Sequence, residues 1–80
     1  MGSVDILGAS GEQPATLVGA RRFAIHATQM VDVTVEWPDG RRESHRLGAE
    51  SVDDSLEPGD AVLVQRVMAM ITGVRRAVEG

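Results

Sequence analysis

A small, mainly β domain of about five antiparallel strands is what the sequence predicts, and three observations carry that prediction. Val31, Val33, Val35 and Trp37 alternate with Asp32, Thr34 and Glu36, the period-two pattern of a strand with one face in a core. Pro38-Asp39-Gly40 follows, with Pro presetting φ, Asp able to bond its own backbone and Gly accepting the positive φ of a three-residue hairpin loop. The segment Asp60–Val67 is rich in β-branched residues and enters from a Pro58-Gly59 turn, as a buried strand would.

Taken in order, residues 1–15 are rich in Gly and Ser and contain Pro14, the composition of a flexible lead-in, with Val4, Ile6 and Leu7 able to add a short strand to a sheet edge. The folded domain is expected over residues 16–80. Thr16–Val18 and Arg22–Thr28 form the next apolar region, split by Gly19. Phe23, Ile25 and Ala27 alternate with Arg22, Ala24 and His26, so this region reads as strand; a helix would leave Ile25 off its apolar face.

The hairpin fixes its own register. A three-residue loop places Trp37 opposite Arg41, Glu36 opposite Arg42, Thr34 opposite Ser44 and Asp32 opposite Arg46, two opposite-charge pairs and one hydroxyl pair on the solvent face. A two-residue loop would set Glu36 against Glu43 and turn Leu47 into water. Gly48–Gly59 is an acidic connection around Val52 and Leu56, with room for a helical turn capped by Ser51. Beyond it two readings stay open. Asp60–Val67 and Met68–Val74 read as two strands, yet Leu63, Val67, Met70, Ile71, Val74 and Val78 also share one helical face, with Asp60 as a cap. The fold expected is a five-stranded OB- or SH3-like barrel with one short helical element, the alternative being α+β with a C-terminal helix.

The 80 residues make one domain near the lower limit of independent folding, and with no cysteine neither a disulfide nor a thiolate metal site supports the core. The formal charge is −4 and all 8 basic residues are Arg. An acidic total with one Trp, one Phe and no Tyr argues against a nucleic-acid module, which needs clustered cations and stacking rings. Nucleic acid is therefore not expected as a partner unless the Arg pairs at 21–22, 41–42 and 75–76 converge on one face. No apolar run approaches a membrane span and the first residues lack a secretory-signal pattern, so a cytoplasmic chain is expected, with a place at the periphery of a membrane protein left open.

Candidate chemistry is sparse. His26 and His45 stand in no metal-ligand spacing. Glu50, Asp53, Asp54, Glu57 and Asp60 lack the order and late Glu that wrap one calcium ion. Asp54-Ser55-Leu56 matches the tripeptide at which acyl carrier proteins take a phosphopantetheine arm, but that serine opens a long helix, and here Pro58-Gly59 interrupts. No Gly-rich phosphate loop is present. No catalytic, cofactor or metal residue is assigned. The return strand of the hairpin is the candidate contact surface. Arg41, Arg42, Glu43, Ser44, His45 and Arg46 are polar on both faces, so the strand belongs at a sheet edge, where unpaired backbone groups accept another strand.

Thr16-Leu17-Val18-Gly19-Ala20, then a strand and a hairpin, then Leu56-Glu57-Pro58-Gly59-Asp60-Ala61-Val62-Leu63-Val64 and one more strand, resembles the C-terminal OB-type domain of NfeD-like membrane-associated proteins over residues 16–76. The resemblance implies a non-catalytic domain linked to stomatin-like partners; the chain departs from it in its long acidic loop and in having no membrane segment. Pro58-Gly59-Asp60 before Val62-Leu63-Val64 also looks like the small chaperones of hydrogenase maturation, whose N-terminal cysteine is missing here. The function expected is a protein-interaction module, self-association included. The alternatives are an oligonucleotide-binding OB domain and a small carrier or enzyme accessory.

Overall fold

The computed structural model describes residues 11–77. Five strands, β1 (Gly11–Ile25), β2 (Thr28–Glu36), β3 (Arg42–Gly48), β4 (Ala61–Val67) and β5 (Met70–Arg76), form one antiparallel sheet in the order β3-β2-β1-β4-β5. Among the described residues the one helical element is a single 3-10 turn at Ala49–Ser51. The C-terminal segment is thus a strand pair and not a helix, the outcome favoured by its valines, whose branched side chains fit a pleated surface.

β1 is the spine. Its second half, from Thr16, pairs with β2, and its first half, Gly11–Thr16, pairs with β4. A register shift between Leu17 and Gly19 leaves Val18 as an extra residue, and such a bulge bends a strand and raises its twist. At that bend Leu17 N–H donates to the Asp60 carbonyl (2.9 Å) and Gly59 N–H to the Leu17 carbonyl (2.8 Å), so the Pro58-Gly59 turn is anchored where the two halves diverge. Gly59 has φ 98°, a conformation that glycine adopts without cost.

Folding of the sheet brings the inner faces of β2 and β3 against those of β4 and β5. Val31, Val33, Val35 and Trp37 meet Leu17, Val62, Val64, Ile71 and Val74 in one buried cluster. β3 and β5 come together across this core without pairing, so the barrel is open between them. A bridge from Val52 to Val74, with Asp53 N–H donating to the Val74 carbonyl (3.1 Å), covers part of the β5 edge. Among the described residues nothing pairs with the outer edge of β3.

Several boundaries differ from those expected. The strand begins at Gly11, not Thr16, so the second part of the expected 1–15 lead-in is ordered β structure; residues 1–10, with the strand suggested at Val4–Leu7, lie outside the described residues. Pro14 conceals this strand. It is tolerated because the alternation of hydrogen bonds set by Leu17 turns the Pro14 nitrogen away from β4, toward a side where β2 has ended. His26 and Ala27, expected within a strand, form the β1–β2 turn, both in the left-handed region (φ 49° and 69°), and Ile25 pairs with Thr28. A two-residue hairpin turn of this hand normally uses Asn or Gly, so no turn signal marks it. Ser51 ends the 3-10 turn and does not cap it; Gly48 precedes it, with no side-chain cap.

Candidate functional site

The hairpin expected at Val31–Leu47 is present in the three-residue-loop register. Glu36 pairs with Arg42, Thr34 with Ser44, Val33 with His45 and Asp32 with Arg46. Gly40 (φ 92°) donates its N–H to the Trp37 carbonyl (2.9 Å), and Trp37 N–H donates to the Arg41 carbonyl (2.8 Å). Asp39 accepts both the Arg41 N–H (3.0 Å) and its Nε (2.7 Å), which fixes the loop and holds the Asp39 carboxyl below its usual range, the backbone bond contributing most.

The Trp37–Arg41 bond also decides which way each backbone group of β3 points. In an antiparallel ladder the hydrogen-bonded pairs recur at every second residue. Glu43, His45 and Leu47 therefore bond to β2, while Arg42, Ser44, Arg46 and Gly48 turn their N–H and C=O groups outward. Among the described residues no strand pairs with this row of alternating donors and acceptors.

The side chains of the row stand aside from it on the outer face of the sheet. Arg42 Nε donates to Glu36 (3.0 Å), Ser44 and Thr34 share a hydroxyl bond (2.7 Å), and Arg46 Nε donates to Asp32 (2.9 Å). Asp32 also accepts from Arg21 of β1 (3.3 Å), and the bonds from Arg46, above all, hold its carboxyl well ionised. The guanidinium groups of Arg21 and Arg46 both lie over the Phe23 ring, at 4.9 and 4.7 Å from its centre.

The inner face of β3 is a second, more buried group. Trp37 Nε1 donates to Glu43 Oε1 (2.8 Å), and Glu43 Oε2 accepts from His45 Nε2 (2.9 Å). The His45 bond first, then the indole N–H, lower the Glu43 pKa against the opposing effect of partial burial. Arg66 of β4 lies over the Trp37 ring (5.6 Å), donates to Gln13 Oε1 (3.1 Å) and approaches Glu43 (3.8 Å). An open cleft of about 580 Å³ lies beside this group, lined by Gln13, Pro14, Asp39 and Arg41 among others. Trp37 also borders the cleft but is only 7% exposed.

All six residues expected to form the contact surface are therefore on or next to one strand, but they divide into three sets: Arg41 in the loop closure, Arg42, Ser44 and Arg46 outside, Glu43 and His45 inside. Arg66, Gln13 and Trp37 were not expected to join them. A signal for Arg66 existed, since Val62 and Val64 face inward and a period of two carries Arg66 to the same side.

The other candidates separate. Arg21 is on the outer face with Asp32, whereas Arg22 donates to the Asp53 carbonyl (3.3 Å). Arg75 is held by Glu12 (2.8 Å) and Arg76 by Asp60 (3.2 Å). Arg21 and Arg42 thus bond to carboxylates of β2, while Arg22 and Arg76 both reach the 53–55 loop, Arg76 through the Ser55 carbonyl (2.9 Å). In the acidic loop Asp53 accepts from the Ser55 N–H and hydroxyl (2.9 and 2.7 Å) and Asp60 from the Glu57 N–H (2.8 Å), so these carboxylates serve the loop itself. Ser55 lies in a turn with no helix after it. Among the described residues no three His, Asp or Glu side chains gather as a metal site, and no helix is long and apolar enough to cross a membrane.

Comparison with protein-family models, with curated proteins and with solved structures finds no match to this chain.

Proposed function

We propose that this chain is a non-catalytic protein-interaction module whose docking element is the outward edge of β3. The observation that carries this reading is the uncovered row of backbone groups at Arg42, Ser44 and Arg46, with each of those side chains drawn aside to a partner on β2. An edge of this kind can accept an extended segment as one more antiparallel strand, with main-chain bonds giving affinity. The resemblance to NfeD-like domains, which are non-catalytic and linked to stomatin-like partners, points the same way and would place the module in the cytoplasm beside a membrane protein.

The pairing of the arginines with carboxylates speaks against the oligonucleotide-binding alternative, because counterion release needs cations free to meet phosphates. The test is capture of partner proteins from cell extract by the immobilised chain, alongside the Ser44→Pro variant. Proline removes the outward donor of Ser44 and its hydroxyl bond to Thr34, but no main-chain bond to β2. Partners held by the parent chain and lost with Ser44→Pro support edge docking; partners held equally by both chains contradict it.

A further inference from the structure

The row of outward groups on β3 is self-complementary in one register, and we infer that its occupant is a second copy of this chain, paired β3 to β3 about a two-fold axis at His45. The inference rests on the edge-docking reading and adds the partner's identity.

Few registers are open to such a pair. In antiparallel pairing across a two-fold axis, residues that point their backbone groups outward must face one another. On β3 these are Arg42, Ser44, Arg46 and Gly48. Axes at residues 43, 44, 45 or 46 satisfy the rule while overlapping most of the strand. An axis at Glu43 sets that carboxylate against its own copy. An axis at Ser44 sets Arg42 against Arg46 of the other chain, twice. An axis at Arg46 opposes two guanidinium groups directly. Like charges directly opposite one another destabilise a ladder.

The axis at His45 avoids all three conflicts. Ser44 then faces Arg46 of the second copy, and Arg42 faces Gly48, the smallest residue of the strand. Four outward residues on each chain are matched, so about eight main-chain bonds form, more than any other axis allows. On the inner face Glu43 faces Leu47. The one self-opposed residue is His45, whose ring is held by Glu43 of its own chain (2.9 Å).

A foreign acidic strand is the less suited occupant. Arg42 and Arg46 are already bound to Glu36 and Asp32, so an acidic strand would have to compete with those carboxylates for them. Self-pairing leaves those ion pairs in place, because it uses backbone groups alone.

The absence of cysteine makes the register directly testable. Under the His45 axis, residue 45 lies in a closely spaced pair with its own copy, at a Cα separation of about 4.5 Å, within disulfide range. Residue 44 is then displaced along the strand from its own copy, beyond the roughly 7 Å limit. Sedimentation of the full chain up to about 0.5 mM should show a reversible monomer–dimer equilibrium. Ser44→Pro, which removes one donor from each copy, should weaken it roughly 100-fold. Oxidation should convert His45→Cys to a covalent dimer and leave Ser44→Cys largely monomeric, with Trp37 emission confirming that each variant is folded.

A dimer cross-linked through Ser44→Cys and not His45→Cys overturns the register. A parent chain that stays monomeric overturns self-pairing, while capture lost with Ser44→Pro would still uphold edge docking. A monomer whose Arg42, Ser44 and Arg46 amides are nonetheless protected from exchange overturns it too, and gives the edge to residues 1–10 of the same chain. A dimer indifferent to a folded Ser44→Pro variant overturns both readings.

Discussion

The indole N–H of Trp37 donates to Glu43 Oε1 at 2.8 Å, a diagonal bond across the hairpin that ties the largest side chain of the core to the edge strand. Trp37 thereby has two roles, closing the end of the core and orienting Glu43 toward His45 and Arg66. Trp37→Ala should cost about 3 kcal/mol, the usual loss for truncating a buried aromatic. Trp37→Phe keeps most of the buried area but not the donor, and should cost roughly 1–2 kcal/mol. Urea unfolding followed by circular dichroism measures both. A loss below about 0.5 kcal/mol for the alanine variant would mean that the ring supports little of the fold.

The Glu43 bond also predicts how stability responds to acid. Its folded-state pKa is lowered, first by the His45 bond, from an ordinary value of 4.5. A group with a depressed folded pKa stabilises the fold fully above its unfolded value, and the contribution is lost as pH falls through the folded one. Urea midpoints should therefore drop between pH 6 and pH 3, and the drop should be smaller for Glu43→Gln. An equal drop in the two proteins would show that Glu43 does not contribute.

Gly73 lies where the β4–β5 pair passes under the acidic loop. A Cβ there would sit 3.2 Å from the Ser51 carbonyl and collide with Gln65 Oε1. Gly73→Val should cost about 1–3 kcal/mol through that crowding. Gly19, beside the β1 bulge, has open space around its Cβ position, so Gly19→Ala should change stability by no more than about 0.5 kcal/mol. Thermal melts of the two variants compare the sites; equal losses would contradict the packing described.

Nucleic acid should not bind. Arg21, Arg42, Arg46, Arg75 and Arg76 each have a carboxylate within 3.3 Å. Fluorescence anisotropy with single-stranded and duplex oligonucleotides at low salt should show no saturable change. Micromolar binding that weakens steeply with added salt would restore the oligonucleotide-binding alternative.

The parts of the fold that could be read from the sequence were those in which one residue type answers one physical demand. Pro38-Asp39-Gly40 demands its loop, and the pairing of Glu36 with Arg42 and Thr34 with Ser44 then follows. The polarity of both faces of β3 marked it as an edge, and it is one. The first half of β1 was hidden because Gly11 and Pro14 are poor strand residues, Pro14 being tolerated because its nitrogen faces a side with no partner. The His26–Ala27 turn was hidden because two non-glycine residues take left-handed conformations there, an energy the surrounding sheet offsets. The bulges at Val18 and Thr72 break the period of two, so Leu17 with Ala20 and Ile71 with Val74 share a side at odd spacing. The group around Trp37 joins β1, β2, β3 and β4, and only the closure of the sheet brings those four together.

Amide hydrogen exchange along β3, read residue by residue at low and high protein concentration, tests the free docking edge most directly. In dilute solution Glu43, His45 and Leu47 should exchange slowly, because their N–H groups bond to β2, while Arg42, Ser44 and Arg46 exchange fast. At high concentration the second set should become protected as a second copy covers the edge. If Arg42, Ser44 and Arg46 stay fast at every concentration and with every captured partner, the charges of β3 serve to keep its edge unpaired, and the docking account is wrong.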